Sequence, residues 1–315
     1  MTYLPVTPRR GVKIMAIALV GLTLSTTASA DQIAPSDAEL VETAYEIVSD
    51  GVDRIQAAGR LPTLTQRVAA AACMLGDDLL QDDAHDILAA AVAEFELIVA
   101  ALKDGNADLG IMGPETKRRT IDELDEILAE WSAISDAIAE ILEGGNTVAA
   151  AHVIDDHNLA LLELTTKLAS DINGQYAHPY EISQRDALAI EFATRQRMLT
   201  QKMIKDACEI WTAYHEDAAK EDLGSTMQIF ENSLIALRDG YEAAGLFPAP
   251  TDQIRADLDA LVTRWDVIKP NAQALLDGQD ISDEAKIEIF TDLNLELDEI
   301  EHLVSDYADY AERHH

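Results

Sequence analysis

The stretch "TRQRMLTQKM", Thr194 to Met203, sets Arg195, Arg197 and Lys202 into an otherwise helical run of a chain whose net charge is -35. An earlier stretch, "GRLPTLTQRV" from Gly59 to Val68, repeats the phrase in worn form. At an offset of 135 residues, Arg60 faces Arg195, Leu64 faces Leu199, Thr65 faces Thr200, Gln66 faces Gln201, Arg67 faces Lys202 and Cys73 faces Cys208. The match continues through Phe95 and Phe230, "ALKDG" and "ALRDG", and Gly110 and Gly245. After single-residue slips it pairs Trp131 with Trp265 and Asn158 with Asn294. The chain therefore reads as a tandem duplication, and whatever one copy folds into, the other should too.

Each copy shows four runs of apolar residues at helical spacing. In the first they extend from about Ala38 to Leu75, Ile87 to Leu102, Ile121 to Leu142 and Val148 to Ile172, separated by "GDD", "DGNADLG" and "EGGN". The second repeats them from about Tyr180 to Tyr214, Leu223 to Leu237, Ile254 to Leu276 and Asp283 to Tyr310. Short connections make neighbouring helices antiparallel, so the expected fold is all-α, two tandem antiparallel four-helix bundles. The fourth helix of such a bundle ends where the first began, and the connection "NGQYAHPY" (Asn173 to Tyr180) reaches at most roughly 25 Å. The bundles should then pack side by side as a pseudo-dimer with their first helices along the pseudo-twofold axis.

Residues 1–30 carry Arg9, Arg10 and Lys13, then the apolar "IMAIALVGLTL" and the small-residue site "ASA" before Asp31. This pattern predicts a signal peptide cleaved after Ala30 and a periplasmic mature chain with no later membrane insertion; an uncleaved anchor is the alternative. Residues 31–173 would then form the first, degenerate bundle, 174–180 the linker and 181–315 the second bundle. With 58 Asp and Glu against 23 Lys and Arg, the surface repels nucleic acid and anionic lipid. Low aromatic content and abundant Ala, Leu, Asp and Glu agree with an all-helical chain.

On a helical wheel, Phe192, Leu199, Met203 and Ile210 form the core stripe of the second copy's first helix. Thr194, Arg197, Gln201, Ile204 and Cys208 lie on roughly the opposite side at heptad spacing. Their counterparts are Gly59, Pro62, Gln66, Ala69 and Cys73, and this mixture of small and polar residues suits two helices in contact with room for a small polar ligand. The phrase at Thr194 resembles the "GRQRMLSQRM" segment of the PilJ-type domain, the N-terminal sensor module of type IV pilus chemotaxis transducers. It also resembles the related segment in sensor domains of nitrate and nitrite histidine kinases. The resemblance implies a periplasmic sensory four-helix bundle in which a small anion, nitrate or nitrite, binds between two first helices through the arginine at the Arg197 position. Thr194 and Gly59 stand at the glycine position that precedes it, and Pro62 replaces the arginine in the first copy. Arg60 is then the candidate second charge, and Gln201 and Gln66 complete the candidate ligand-binding set.

Other readings compete with these. Arg195, Arg197, Lys202 and Lys205 can be ordinary salt-bridged positions paired with Glu191, Asp206 or Glu209. Cys73 and Cys208 fall within disulfide reach if the first helices meet in parallel, and otherwise are two buried thiols. Glu299 with His302 makes one E-x-x-H, whereas a di-iron bundle needs two; "DDAHD" (Asp82 to Asp86) and "HED" (His215 to Asp217) read as loop acids and histidines. Nothing points to a cofactor, a metal or a catalytic nucleophile. The expected function is thus non-enzymatic sensing of a small anion, relayed to a membrane sensor kinase, chemoreceptor or transporter because no output domain is recognisable. The alternative is a periplasmic scaffold or interaction module whose ligand site has decayed.

Overall fold

The computed structural model describes residues 50–176 and 183–314, so the N-terminal segment with its expected cleavage site and most of the connection between the copies lie outside the described residues. Eight α-helices are described: α1 (Gly51–Gly76), α2 (Gln81–Asp104), α3 (Arg118–Leu142), α4 (Thr147–Tyr176), α5 (Gln184–Trp211), α6 (Glu216–Asp239), α7 (Asp252–Leu276) and α8 (Asp283–Arg313). The first four close into one bundle and the last four into another. Helix α4 runs three residues past Asn173, so the connection read from Asn173 begins later than its glycine suggested.

The outer helices are amphipathic. In α3, Leu124, Ile127, Trp131, Ile134, Ile138 and Ile141 recur every three or four residues and are buried, while acids fill the opposite face. Ion pairs such as Lys167 to Glu123 (2.7 Å) and Lys269 to Glu231 (2.7 Å) border these packed faces. Each core holds the same aromatic pair, Phe95 with Trp131 at 4.0 Å and Phe230 with Trp265 at 5.2 Å between ring centres. The rings stack in the first bundle and meet edge-on in the second.

The first helices differ from the rest because they are covered on nearly every side. Ala69, Ala70, Ala71 and Ala72 of α1, and Ile204, Ala207 and Cys208 of α5, are all buried. A helix apolar or covered all round belongs in an interior, and here each first helix packs on its own bundle and on the other first helix. A Cβ placed on Gly59 would lie 4.0 Å from the Thr194 methyl. Fourteen residues on, Cys73 and Cys208 are joined by a disulfide with Cα atoms 6.2 Å apart. Both pairs keep the offset of 135, which is only possible if α1 and α5 run parallel and in register. The bundles therefore lie side by side across a seam formed by their first helices.

The duplication is written in the backbone as well as in the sequence. Asp78 and Ala213 have φ of 62° and 56°, and Leu80 and His215 have 48° and 52°, at matched positions with unlike side chains. Left-handed backbone at non-glycine residues costs on the order of 1 kcal/mol, so its survival in both copies shows that the α1–α2 and α5–α6 corners require it. Gly105 and Gly240 likewise have φ of 86° and 87°. A Cβ on Gly240 would come within 2.8 Å of Pro248 Cδ, so the turn needs glycine for space as well as for torsion.

These corners correct one expectation. "DDAHD" is not a loop: α2 begins at Gln81, and Asp82 and Asp83 occupy its first turn. Glu216 and Asp217 open α6 in the same way, behind His215. Neither start has a side-chain cap, because a left-handed residue precedes the helix in place of Ser, Thr, Asp or Asn. The acids instead favour the positive end of the helix dipole. Where a capping residue is present the start conforms to it: Ser183, Thr251 and Ser282 each accept a backbone N–H three residues on.

Candidate functional site

The seam has two faces with different chemistry. On one, α1 and α5 are flanked by α2 of the first bundle and α8 of the second, and a crevice of about 20 Å³ opens between them. Its walls carry Arg60 and Arg67 from α1, Arg197 from α5, Glu94 from α2 and Glu301 with Leu297 from α8. That volume admits about one water molecule.

The charges in the crevice interlock. Glu301 Oε1 lies 3.5 Å from Arg197 Nη1 and 3.9 Å from Arg60 Nη2, so guanidinium groups of both bundles meet on one carboxylate oxygen. Arg60 also holds Glu94 at 2.6 Å. Arg197 is buried, its Nε directed at the Thr194 carbonyl at a long 3.5 Å. Burial lowers the Arg197 pKa, opposed by Glu301 and reinforced by the nearby Arg60. Arg67 is shifted the same way, first by burial, with Asp298, Glu94 and Glu301 pulling back. Both guanidinium groups stay charged, since arginine does not give up its proton in proteins.

The residues singled out from the sequence divide into two groups. Arg60 and Arg197 come together in the crevice, with Gly59 and Thr194 forming the close helix crossing beside them. Gln66 and Gln201 turn away: Gln66 Nε2 donates to Asn158 Oδ1 at 2.9 Å, and Gln201 Nε2 donates to Asn294 Oδ1 at 3.3 Å. These matched amide pairs tie each first helix to the last helix of its own bundle. Arg67, Glu94 and Glu301 were not singled out. Arg67 lies seven residues, two turns, beyond Arg60 and so on the same face. Glu301 could have been placed by pairing Gln201 with Asn294 and counting along the antiparallel helices α5 and α8.

The other face of the seam carries a buried ionic network. Lys205 Nζ reaches Glu209 at 2.5 Å, Asp206 at 3.0 Å and, across the seam, Asp155 of α4 at 3.6 Å. Lys202 pairs with the same Asp206 at 3.0 Å and with Asp222 at 2.9 Å. The salt-bridge reading thus holds for Lys202 and Lys205, whereas Arg197 pairs with a different helix. Burial pushes the Glu209 carboxyl up to about 9, the neighbouring Asp155 adding to the shift and Lys205 opposing it. Beyond this network, Asp156 accepts from Tyr214 at 2.7 Å; where α1 ends, Asp77 holds Lys286 of α8 at 3.1 Å. Among the described residues no group of three or more His, Cys, Asp or Glu could hold a metal ion, and Glu299 of the E-x-x-H is paired with Arg264. No described helix is long and apolar enough to cross a membrane.

Two four-helix bundles fused in tandem about a shared, charged seam define a duplicated all-helical module. The family described as Type IV pili methyl-accepting chemotaxis transducer N-term, PilJ, matches residues 52–157 and again residues 180–287. The chain belongs to that family, once in each half, and the family is one of sensory domains. No curated protein and no solved structure matches it.

Proposed function

We propose that this protein is a periplasmic, non-enzymatic sensory module that binds a small planar oxyanion of the nitrate or nitrite type in the crevice of Arg60 and Arg197. Its state would be relayed to a membrane partner such as a sensor kinase, chemoreceptor or transporter. The observation that carries the reading is the meeting of two guanidinium groups, one from each bundle, on a single carboxylate oxygen. What receives a carboxylate there has the charge and the donor geometry to receive a small oxyanion. Membership of a family of chemotaxis sensory domains supports the assignment, and the Cys73–Cys208 bond fits an oxidising compartment.

Calorimetry with nitrate, nitrite and sulfate tests it. The native protein is expected to give saturable heat with at least one of the planar anions. Arg197→Ala should weaken that binding at least about tenfold, because each charge-assisted hydrogen bond contributes about 1.5 to 3 kcal/mol. Saturable heat that survives unchanged in Arg197→Ala would place the ligand elsewhere.

A second reading, an interaction module with a decayed site, is favoured by one observation: the arginines are already paired internally and Pro62 replaces the second copy's arginine. In that case no anion in the panel would raise the melting temperature, whereas a bound ligand must.

A further inference from the structure

We infer that Glu301 is a tethered competitor in the arginine crevice, so that a planar monovalent oxyanion binds there only by displacing its carboxylate. The inference rests on the anion-binding reading above and concerns how that site is regulated. The three arginines of the crevice are matched by Glu94, Glu301 and, close to Arg67, Asp298, so the closed crevice offers no surplus positive charge. A second anion cannot simply be added to it. A volume of about 20 Å³ leaves no room for one either.

The displaced group is Glu301 because its position is the weakest. Its contacts to Arg197 and Arg60, at 3.5 and 3.9 Å, are long for charge-assisted bonds, which are at their best at about 2.7 to 2.9 Å. Its side chain is 39% exposed, so water can take it up, whereas Arg197 at 10% has nowhere to go. Arg60 meanwhile stays anchored by Glu94 at 2.6 Å. A ligand with the charge and planar oxygens of a carboxylate can replace Glu301 between fixed partners. Tetrahedral, divalent sulfate has a different shape and charge.

The pseudo-symmetry singles out the same residue. At the matched position of the first copy stands Thr165, whose hydroxyl bonds to the Leu161 carbonyl of its own helix. The arginine of the second copy and the carboxylate facing it are therefore both unique to that copy. Displacement also has a mechanical result. Among the described residues two ion pairs join α8 to the α1 side of the seam, Arg60 with Glu301 and Asp77 with Lys286, and ligand entry breaks the first.

The test is calorimetric titration of sodium nitrate and sodium nitrite, at fixed ionic strength, into native protein, Glu301→Gln and the double variant Glu301→Gln/Arg197→Ala. Removing a tethered competitor is expected to tighten binding at least about tenfold in Glu301→Gln, and the double variant should lose it. Equal or weaker binding in Glu301→Gln, with saturable binding in native protein, overturns the inference and leaves the anion site standing. Absence of saturable heat from both overturns the anion site, and this inference with it. Should Glu301→Gln fail to fold, Glu301→Asp retains the charge but shortens its reach. Tighter binding than native in that variant supports displacement, and unchanged or weaker binding refutes it.

Discussion

Glu296→Met is expected to stabilise the protein by roughly 3 kcal/mol at pH 7, the gain widening as the pH rises to 8. Glu296 lies on α8 and is fully buried, and neither carboxylate oxygen has a hydrogen-bond partner. Burial pushes its pKa up from 4.5 to about 8; Arg264 opposes the shift, and Glu299 and Asp292 add to it. Between those two values the folded chain holds a proton that the unfolded chain has released. Stability from this group is therefore fully present below pH 4.5 and is lost as the pH rises toward 8. Methionine keeps the volume and removes the titration. Urea unfolding at pH 5 and pH 8 checks the point: the variant's advantage should be larger at pH 8, and an advantage of equal size at both values would show that Glu296 does not carry the proton.

Replacing both cysteines, Cys73→Ser with Cys208→Ser, is expected to cost up to about 5 kcal/mol, the chain-entropy value for closing a loop of this length. The bond spans 135 residues and uses both cysteines of the chain, joining α1 to α5 across the seam. It ties α1 to α5 near the ends of both helices, while at Arg60 and Arg197, thirteen and eleven residues earlier, the bundles are joined across the crevice through the Glu301 carboxylate. Denaturant unfolding of the native protein with and without reductant should show the same loss as the double variant. An unchanged midpoint would mean that the packed alanine faces of the first helices hold the bundles together unaided. Counting free thiols in unfolded, never-reduced protein verifies that the bond is present.

The architecture was legible because duplication supplies its own ruler. An offset of 135, slipping by one residue only in the later helices, both defined the repeat and gave the parallel register in which Gly59 meets Thr194 and Cys73 meets Cys208. The four-helix count per copy followed from spacing of apolar residues, and the largest displacements fell at the two helix starts without capping residues, behind Leu80 and His215. The site was harder to read. Arg197 is legible from its place on the polar stripe and from the family phrase, and Arg60 as the second charge where Pro62 replaces an arginine; the structure brings the two together on Glu301. Glu301 did not stand out, since carboxylates are everywhere in this sequence and only the register between α5 and α8 selects one. Gln66 and Gln201 lie on the same polar stripe, and Asn158 and Asn294 offer each amide a partner inside its own bundle, which the stripe alone does not reveal.

Fusing the copies also releases a constraint that any pair of identical subunits must obey. When one gene writes both halves of an interface, every substitution appears twice, and a residue useful on one side is imposed on the other. Here Pro62 can stand opposite Arg197, Thr165 opposite Glu301 and Ala160 opposite Glu296, each altered alone. The molecule also cannot come apart on dilution. Its two halves are free to specialise, one as a rigid support and the other as the responsive partner, at a fixed stoichiometry of one to one.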